Sequence, residues 1–315
     1  MVFALRGVDF RLGDGEAISL IGESGCGKTT LGRIVAGLES YTGGDLLFDG
    51  VALSSLSARE RRERLHQIQL IQQDPYAALN PGRTLGNAMA DPLKLKAKQL
   101  GKPSIWVEQR AHELLRLVGL DPTSTLHKYP HNLSGGQRQR LVIARALTVE
   151  PKVLIADEAV SMIDVSLRLG ILQLLSDLRS RLGISIIFIT HDVAAARYVA
   201  QDGTLLVLYR GTVVESGPTD DIIESPVHPY TQALLSAMPV LRGLEHPGPD
   251  RYIPKQELDV NADDHGCLFR DRCPFATEQC QSNTPRLVSL DETDVHQHAC
   301  FYPEPRRVVP MVVDS

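Results

Sequence analysis

Gly22-Glu23-Ser24-Gly25-Cys26-Gly27-Lys28-Thr29, continued by Thr30, decides how this chain is read. The stretch satisfies Gly-x4-Gly-Lys-Ser/Thr, follows the strand pattern Ala17–Ile21 and opens a helical pattern over Thr29–Leu38, the strand–turn–helix context that gives the motif meaning. The glycines let successive backbone N–H groups converge on phosphate oxygens, and the helix N-terminus adds a positive dipole end. Lys28 is suited to β/γ-phosphates, and the Thr29 hydroxyl to Mg2+. Residues 22–30 are therefore expected to bind a nucleoside triphosphate. Cys26 lies at that helix N-terminus beside Lys28, two influences that lower a thiol pKa. It reads as a small residue tolerated in the loop, with sensitivity to alkylation as the alternative.

Outward from the loop, Leu5–Leu12 and Ala17–Ile21 read as strands around Gly13-Asp14-Gly15. Leu46–Phe48 and Val51–Leu53 flank Asp49-Gly50, a two-residue hairpin signal, and Leu205–Tyr209 and Thr212–Glu215 flank Arg210-Gly211. From Ser57 to Leu120 the pattern is mainly helical and charged. A β/α rhythm then returns: Val153–Ala156 as a buried strand, Val165–Leu182 as an amphipathic helix and Ile184–Ile189 as another buried strand. This alternation predicts an α/β fold with a mostly parallel sheet. After Pro239 the composition shifts to Pro, charge, His and Cys, which places a boundary near residue 240.

Val153-Leu154-Ile155-Ala156-Asp157 is an apolar strand ending in a carboxylate, the form of a Walker B element, with Asp157 placed for Mg2+. Glu158 follows, and strand alternation directs it differently, toward an attacking water. Gln73-Asp74-Pro75, Leu133-Ser134-Gly135-Gly136-Gln137, Ser161-Met162-Ile163-Asp164 and Thr190-His191-Asp192 occur in order around these elements. On these strings, residues 1–240 closely resemble an ATP-binding cassette (ABC) ATPase. The resemblance implies a P-loop NTPase cassette with a RecA-like core, an antiparallel β-subdomain and a helical subdomain over about 76–140. It implies that Ser134, Gly135, Gly136 and Gln137 serve ATP held by an opposite subunit, and that Asp164 lies at the dimer seam. It further implies that Thr29, Gln73 and Asp157 hold Mg2+, that Glu158 activates water, and that His191 supports the γ-phosphate. Arg138 and Arg140 are expected to be solvated or at an interface. The chain departs from the family at Ala159-Val160, where Pro-Thr is usual, and the adenine-stacking aromatic would align before Met1, with Phe3 as a substitute and a start placed too late as the two readings.

Pro226-Val227-His228-Pro229-Tyr230, leading into Thr231–Leu235, resembles the C-terminal extension of oligopeptide/dipeptide importer ATPases. Pro229 suits a first helical turn. Residues 241–315 are expected to form an appended region carrying Cys267, Cys273, Cys280 and Cys300 in the spacing C-x5-C-x6-C-x19-C. Four thiolates can hold Zn2+ or a 4Fe–4S cluster. Tight zinc knuckles are absent, and the importer resemblance implies the cluster; Zn2+ and unliganded thiols remain alternatives. His265, His296 and His298 are left as surface residues.

The 315 residues are 43% hydrophobic and 23% charged, a balance that excludes intrinsic disorder. A net charge of −5 gives no global basic field, so nucleic acid is not an expected partner. No apolar run approaches the roughly 20 residues of a membrane span, and Arg6 interrupts the start before a signal-peptide core develops. The resemblance implies an ATPase at the cytoplasmic face of a membrane, held there by two transmembrane permease subunits. It would work with a second, related but non-identical ABC ATPase and an extracellular solute-binding protein, powering uptake of di- or oligopeptides. Oligosaccharides or a nickel or other metal complex are the alternative cargo, and a non-transport ATPase acting on nucleic acid or the ribosome is the remote one.

Overall fold

The computed structural model describes residues 4–237, 265–290, 292 and 295–309. In chain order its elements begin with β1 (Ala17–Ile21), α1 (Lys28–Val35), β2 (Leu47–Phe48), β3 (Val51–Ala52), α2 (Ala58–Leu65), β4 (Ile68–Ile71), α3 (Leu85–Leu100), α4 (Ser104–Leu117), α5 (Pro122–Thr125) and α6 (Gly135–Leu147). They continue with β5 (Val153–Asp157), α7 (Val165–Leu182), β6 (Ser185–Ile189), α8 (Val193–Val199), β7 (Thr204–Tyr209), β8 (Thr212–Pro218), α9 (Thr219–Glu224), α10 (Pro229–Ser236), α11 (Glu278–Ser282), β9 (Val288–Ser289) and β10 (Gln297–His298). They divide into two compact units, one of residues 1–12, 17–31 and 190–315, the other of 13–16 and 32–189. Among the described residues no helix is long and apolar enough to cross a membrane. The boundary expected near 240 and the candidate Phe3 lie outside the described residues.

In the first unit β1 pairs parallel with β7, and β7 antiparallel with β8. All five β1 residues are buried, Ser19 among them, its hydroxyl donating to the Ala196 carbonyl at 2.9 Å. Arg210 and Gly211 take φ of 45° and 81°, the left-handed pair of a mirror-image two-residue turn matched to strand twist. β10 adds antiparallel to β8, with His298 opposite Glu215, and β9 pairs with β10, so the cysteine-bearing segment extends this unit's sheet. Phe269 and Val308 of that segment share one core with Val207, Tyr209, Ile222 and Tyr230. Leu5–Leu12 is not a strand; it runs irregularly, with the Arg6 N–H donating to the Gly211 carbonyl at 2.8 Å.

In the second unit β4, β5 and β6 are parallel, with Ile68 opposite Val153 and Val153 opposite Ser185. β4 is a correction to the helical reading of Ser57–Leu120. Its four residues alternate too briefly to stand out from the charged helix before them, and pairing with β5 decides their state. The β2–β3 hairpin turns at Asp49 (φ 51°) and Gly50 (φ 73°), as its sequence predicts. α7 spans Val165–Leu182 as expected and ends at Gly183 in the left-handed region. α6 buries residues on every face, among them Leu141, Ile143 and Arg138.

Candidate functional site

The phosphate loop lies between β1 and α1. Gly22, Gly25 and Gly27 take φ of 152°, 80° and 107°, values an L side chain rarely adopts. A Cβ at Gly22 would also run into the Leu208 carbonyl oxygen and the Cys26 sulfur, so two constraints fix glycine there. The Cys26 carbonyl accepts from the Gly211 N–H at 2.8 Å, tying the loop to the β7–β8 turn. Lys28 is buried, its Nζ donating to the carbonyls of Gly22 at 2.7 Å and Glu23 at 2.9 Å. Cys26 is 1% exposed, and burial pushes its thiol pKa up; the attraction of Lys28 only partly offsets this. The expected lowering is therefore overturned, and the small-residue reading of Cys26 is the one its packing under the loop supports.

Two further residues reach the same corner of the loop, and the sequence links neither of them to it. The Glu23 N–H donates to the Tyr230 hydroxyl at 2.8 Å. Arg272 donates from both terminal nitrogens to the Glu23 carboxylate, at 2.9 and 2.8 Å. Also in this unit, His191 is exposed, while Asp192 caps α8 by accepting from the N–H groups of Ala194 and Ala195.

The remaining expected residues belong to the second unit. Asp157 is buried at the end of β5. Glu158 leaves the strand at φ 50°, its N–H donating to Ile189 O at 2.9 Å and its carbonyl accepting from Ser161 Oγ at 2.8 Å. A left-handed turn, rather than continued alternation, thus sets its direction; such backbone strain clusters at working sites. Ala159 and Val160 are buried, so the departure from Pro-Thr is accommodated by apolar packing. Gln73 is exposed just beyond β4, and Asp164 immediately precedes α7.

Ser134 caps α6: its Oγ accepts from the Gln137 N–H, and the Gln137 side chain returns the bond to the Ser134 N–H at 3.1 Å. A Cβ at Gly136 would press on Leu167. Arg138 is buried rather than solvated, and Arg140 is half-buried. Arg138 is 2% exposed, binds the carbonyls of Pro130 and Leu133 and stacks 3.5 Å over Tyr76; Arg140 binds those of Val118 and Gly170. Their guanidinium groups thus tie α6 to backbone carbonyls of neighbouring segments, Gly170 O of α7 among them.

Cys267, Cys273, Cys280 and Cys300 line one small cavity of about 20 Å³ in the first unit, with His228 and Phe269 also on its wall. None forms a disulfide. Burial raises the pKa of Cys267, that of Cys273 to about 12 and that of Cys300 to about 11, and the neighbouring thiolates push the same way. Four thiols meeting in one cavity fit the donor chemistry of a four-thiolate metal group. As the side chains stand, no group of three or more His, Cys, Asp or Glu among the described residues is arranged to hold a metal ion. His265 is exposed as expected; His296 and His298 are buried, against expectation. Both pack beside Glu215, fully buried on β8: its carboxylate accepts from the N–H groups of Val227 and His228 and lies 2.8 Å from His296 Nε2, and His298 stands opposite it in the β8–β10 ladder.

Residues 5–161 match the ABC transporter family, and residues 214–280 match the oligopeptide/dipeptide transporter C-terminal region. The chain is 40% identical over 308 residues to the di/tripeptide transport ATP-binding protein DppF of Pseudomonas aeruginosa, covering 96% of this chain and 91% of that one. It is 40% identical over 291 residues to the oligopeptide transport ATP-binding protein OppF of Salmonella typhimurium, covering 90% and 84%. Among solved structures, a dimeric post-hydrolysis ATP-binding cassette bound to ADP and Pi aligns with TM-score 0.60 at 28% identity, covering 69% of this chain and 91% of that one. The cbiO1 protein of Clostridium perfringens, part of the ABC transporter complex cbiONQ, aligns with TM-score 0.61 at 28% identity, covering 70% and 83%.

Proposed function

The chain belongs to the ABC transporter family as an ATPase cassette, and from that premise we propose that it powers an importer of di- and oligopeptides. The observation that carries this reading is a complete phosphate loop on the same chain as a C-terminal region of the oligopeptide/dipeptide transporter type. In this proposal the N–H groups of residues 22–30 and the Lys28 ammonium bind the ATP phosphates. Thr29, Gln73 and Asp157 offer hydroxyl, amide and carboxylate oxygens, the hard donor set that Mg2+ takes. Bound Mg2+ supplies charge neutralisation at the β/γ-phosphates. Glu158 accepts the proton of the attacking water, and His191 steadies the γ-phosphate. Ser134, Gly135, Gly136 and Gln137 contact ATP held by a second, related ATPase subunit, with Asp164 at the seam between them.

Two permease subunits would hold the pair at the cytoplasmic face of the membrane, and an extracellular binding protein would deliver the peptide. The fold assignment extends in the same way to a RecA-like core, an antiparallel β-subdomain, a helical subdomain near 76–140 and an appended cysteine-rich region. Cys267, Cys273, Cys280 and Cys300 would hold a 4Fe–4S cluster, with Zn2+ as the alternative; their convergence on one cavity supports a four-thiolate group.

The test is ATP-driven peptide uptake into vesicles carrying the permeases and both ATPases. The unaltered chain drives uptake, whereas Glu158→Gln keeps ATP binding and loses about 10²–10⁴ in turnover. Normal turnover in that variant overturns the assignment of Glu158, and uptake of a different solute class overturns the cargo.

A further inference from the structure

Glu23 is a carboxylate inside a loop built for anions. Its charge lies within a few residues of the Lys28 ammonium and opposes the negative charge a triphosphate brings. The structure compensates it from far along the chain. The Arg272 guanidinium grips both Glu23 carboxylate oxygens at 2.8 and 2.9 Å, the fork-on-carboxylate geometry that only Arg provides. Arg272 is itself fixed, its side chain 12% exposed and its guanidinium 5.9 and 5.6 Å from the ring centres of Tyr209 and Phe269. Tyr230, packed against both of those rings, accepts the Glu23 N–H. Backbone and side chain of Glu23 are thus held by residues that follow it by more than 200 positions, one of them adjacent to Cys273.

We propose that Arg272 is a positioning residue of the phosphate loop, neutralising and anchoring Glu23 so that the loop accepts a nucleoside triphosphate. The cysteine-bearing segment is then part of the nucleotide site's support. This inference rests on the ATPase reading above. Without Arg272 the Glu23 carboxylate is uncompensated and free to turn into the phosphate cradle.

The test is equilibrium binding of MgATP to the full-length chain, with circular dichroism to confirm folding of each variant. Arg272→Ala is expected to weaken MgATP binding about tenfold, the scale of one uncompensated charge at a partly exposed site. Arg272→Lys, which keeps the charge and loses the fork, is expected to weaken it less than Arg272→Ala does. The deciding variant is the double substitution Arg272→Ala with Glu23→Gln. If Arg272 acts by compensating Glu23, removing that charge restores most of the lost affinity; a purely packing role gives no such rescue. Unchanged binding in Arg272→Ala, or a double variant as weak as Arg272→Ala alone, overturns the proposal. An unaltered chain that fails to bind MgATP overturns the ATPase reading instead, so the two failures are distinct.

Discussion

The phosphate loop and the cysteine cavity are built in opposite ways. The loop is contiguous: its glycines, lysine and threonine lie within nine residues, and backbone conformation makes most of the site. The cavity draws four cysteines from across residues 267–300 and adds His228 from another element, so packing alone closes it. The loop carries its geometry in its residue types; the cavity is walled in part by Phe269, which shares a core with Tyr209 of β7, Val214 of β8 and Tyr230 of α10.

The largest effect separates the two chemically. Lys28→Ala is expected to lower MgATP affinity at least about a hundredfold, the cost of leaving a bound anion without its buried partner. The metal content of the purified chain is unchanged, by elemental analysis, if the sites are chemically independent; loss of metal would join them. Gly22→Ala strikes the loop's backbone. Its φ and the Leu208 carbonyl both oppose a Cβ, so about 3 kcal/mol of stability is lost, read by denaturant unfolding. An alanine tolerated without loss would show the loop to be less determined than its conformation indicates.

Cys280→Ser tests the other side. It exchanges a buried thiol for a hydroxyl, costs about 2 kcal/mol, and abolishes the visible absorption of anaerobically purified protein if a 4Fe–4S cluster is held there. A colourless, zinc-loaded unaltered chain would replace the cluster with Zn2+.

Beside the cavity the expected effect is read against pH. His228 caps α10, its Nδ1 accepting the Tyr230 N–H at 3.0 Å, and burial, partly offset by Glu215, lowers its pKa from 6.5 to about 4. A histidine held neutral in the fold binds its proton more readily when unfolded. Its contribution is therefore complete above pH 6.5 and is lost as pH falls toward about 4. His228→Asn, which keeps a capping oxygen, is expected to flatten that part of the stability profile measured by thermal unfolding.

Legibility in the sequence followed the same contrast. The two hairpins were readable because Asp49-Gly50 and Arg210-Gly211 sit between apolar pairs, and α7 because its apolar stripe is long. β4 was not readable, since four residues hold too little periodicity and the β5 partner supplies the decision. Leu5–Leu12 shows the reverse: it alternates like a strand but forms no ladder among the described residues. Arg138 and Arg140 read as surface charge because their partners are backbone carbonyls, which no residue type announces. His296 and His298 were misplaced for a related reason, Glu215 lying about 80 positions away.

By itself the sequence determined that this chain carries a phosphate-binding loop opening a helix, an apolar strand ending in Asp157-Glu158 and a four-cysteine segment after them. Those are local properties, written in backbone freedom, hydrophobic period and spacing. Only the tertiary structure decided that Arg272 and Tyr230 hold Glu23, that Glu215 meets His296, and that four thiols face one cavity. Such pairings depend on which distant surfaces share a core, and a linear pattern fixes a residue's own preferences without fixing its neighbour.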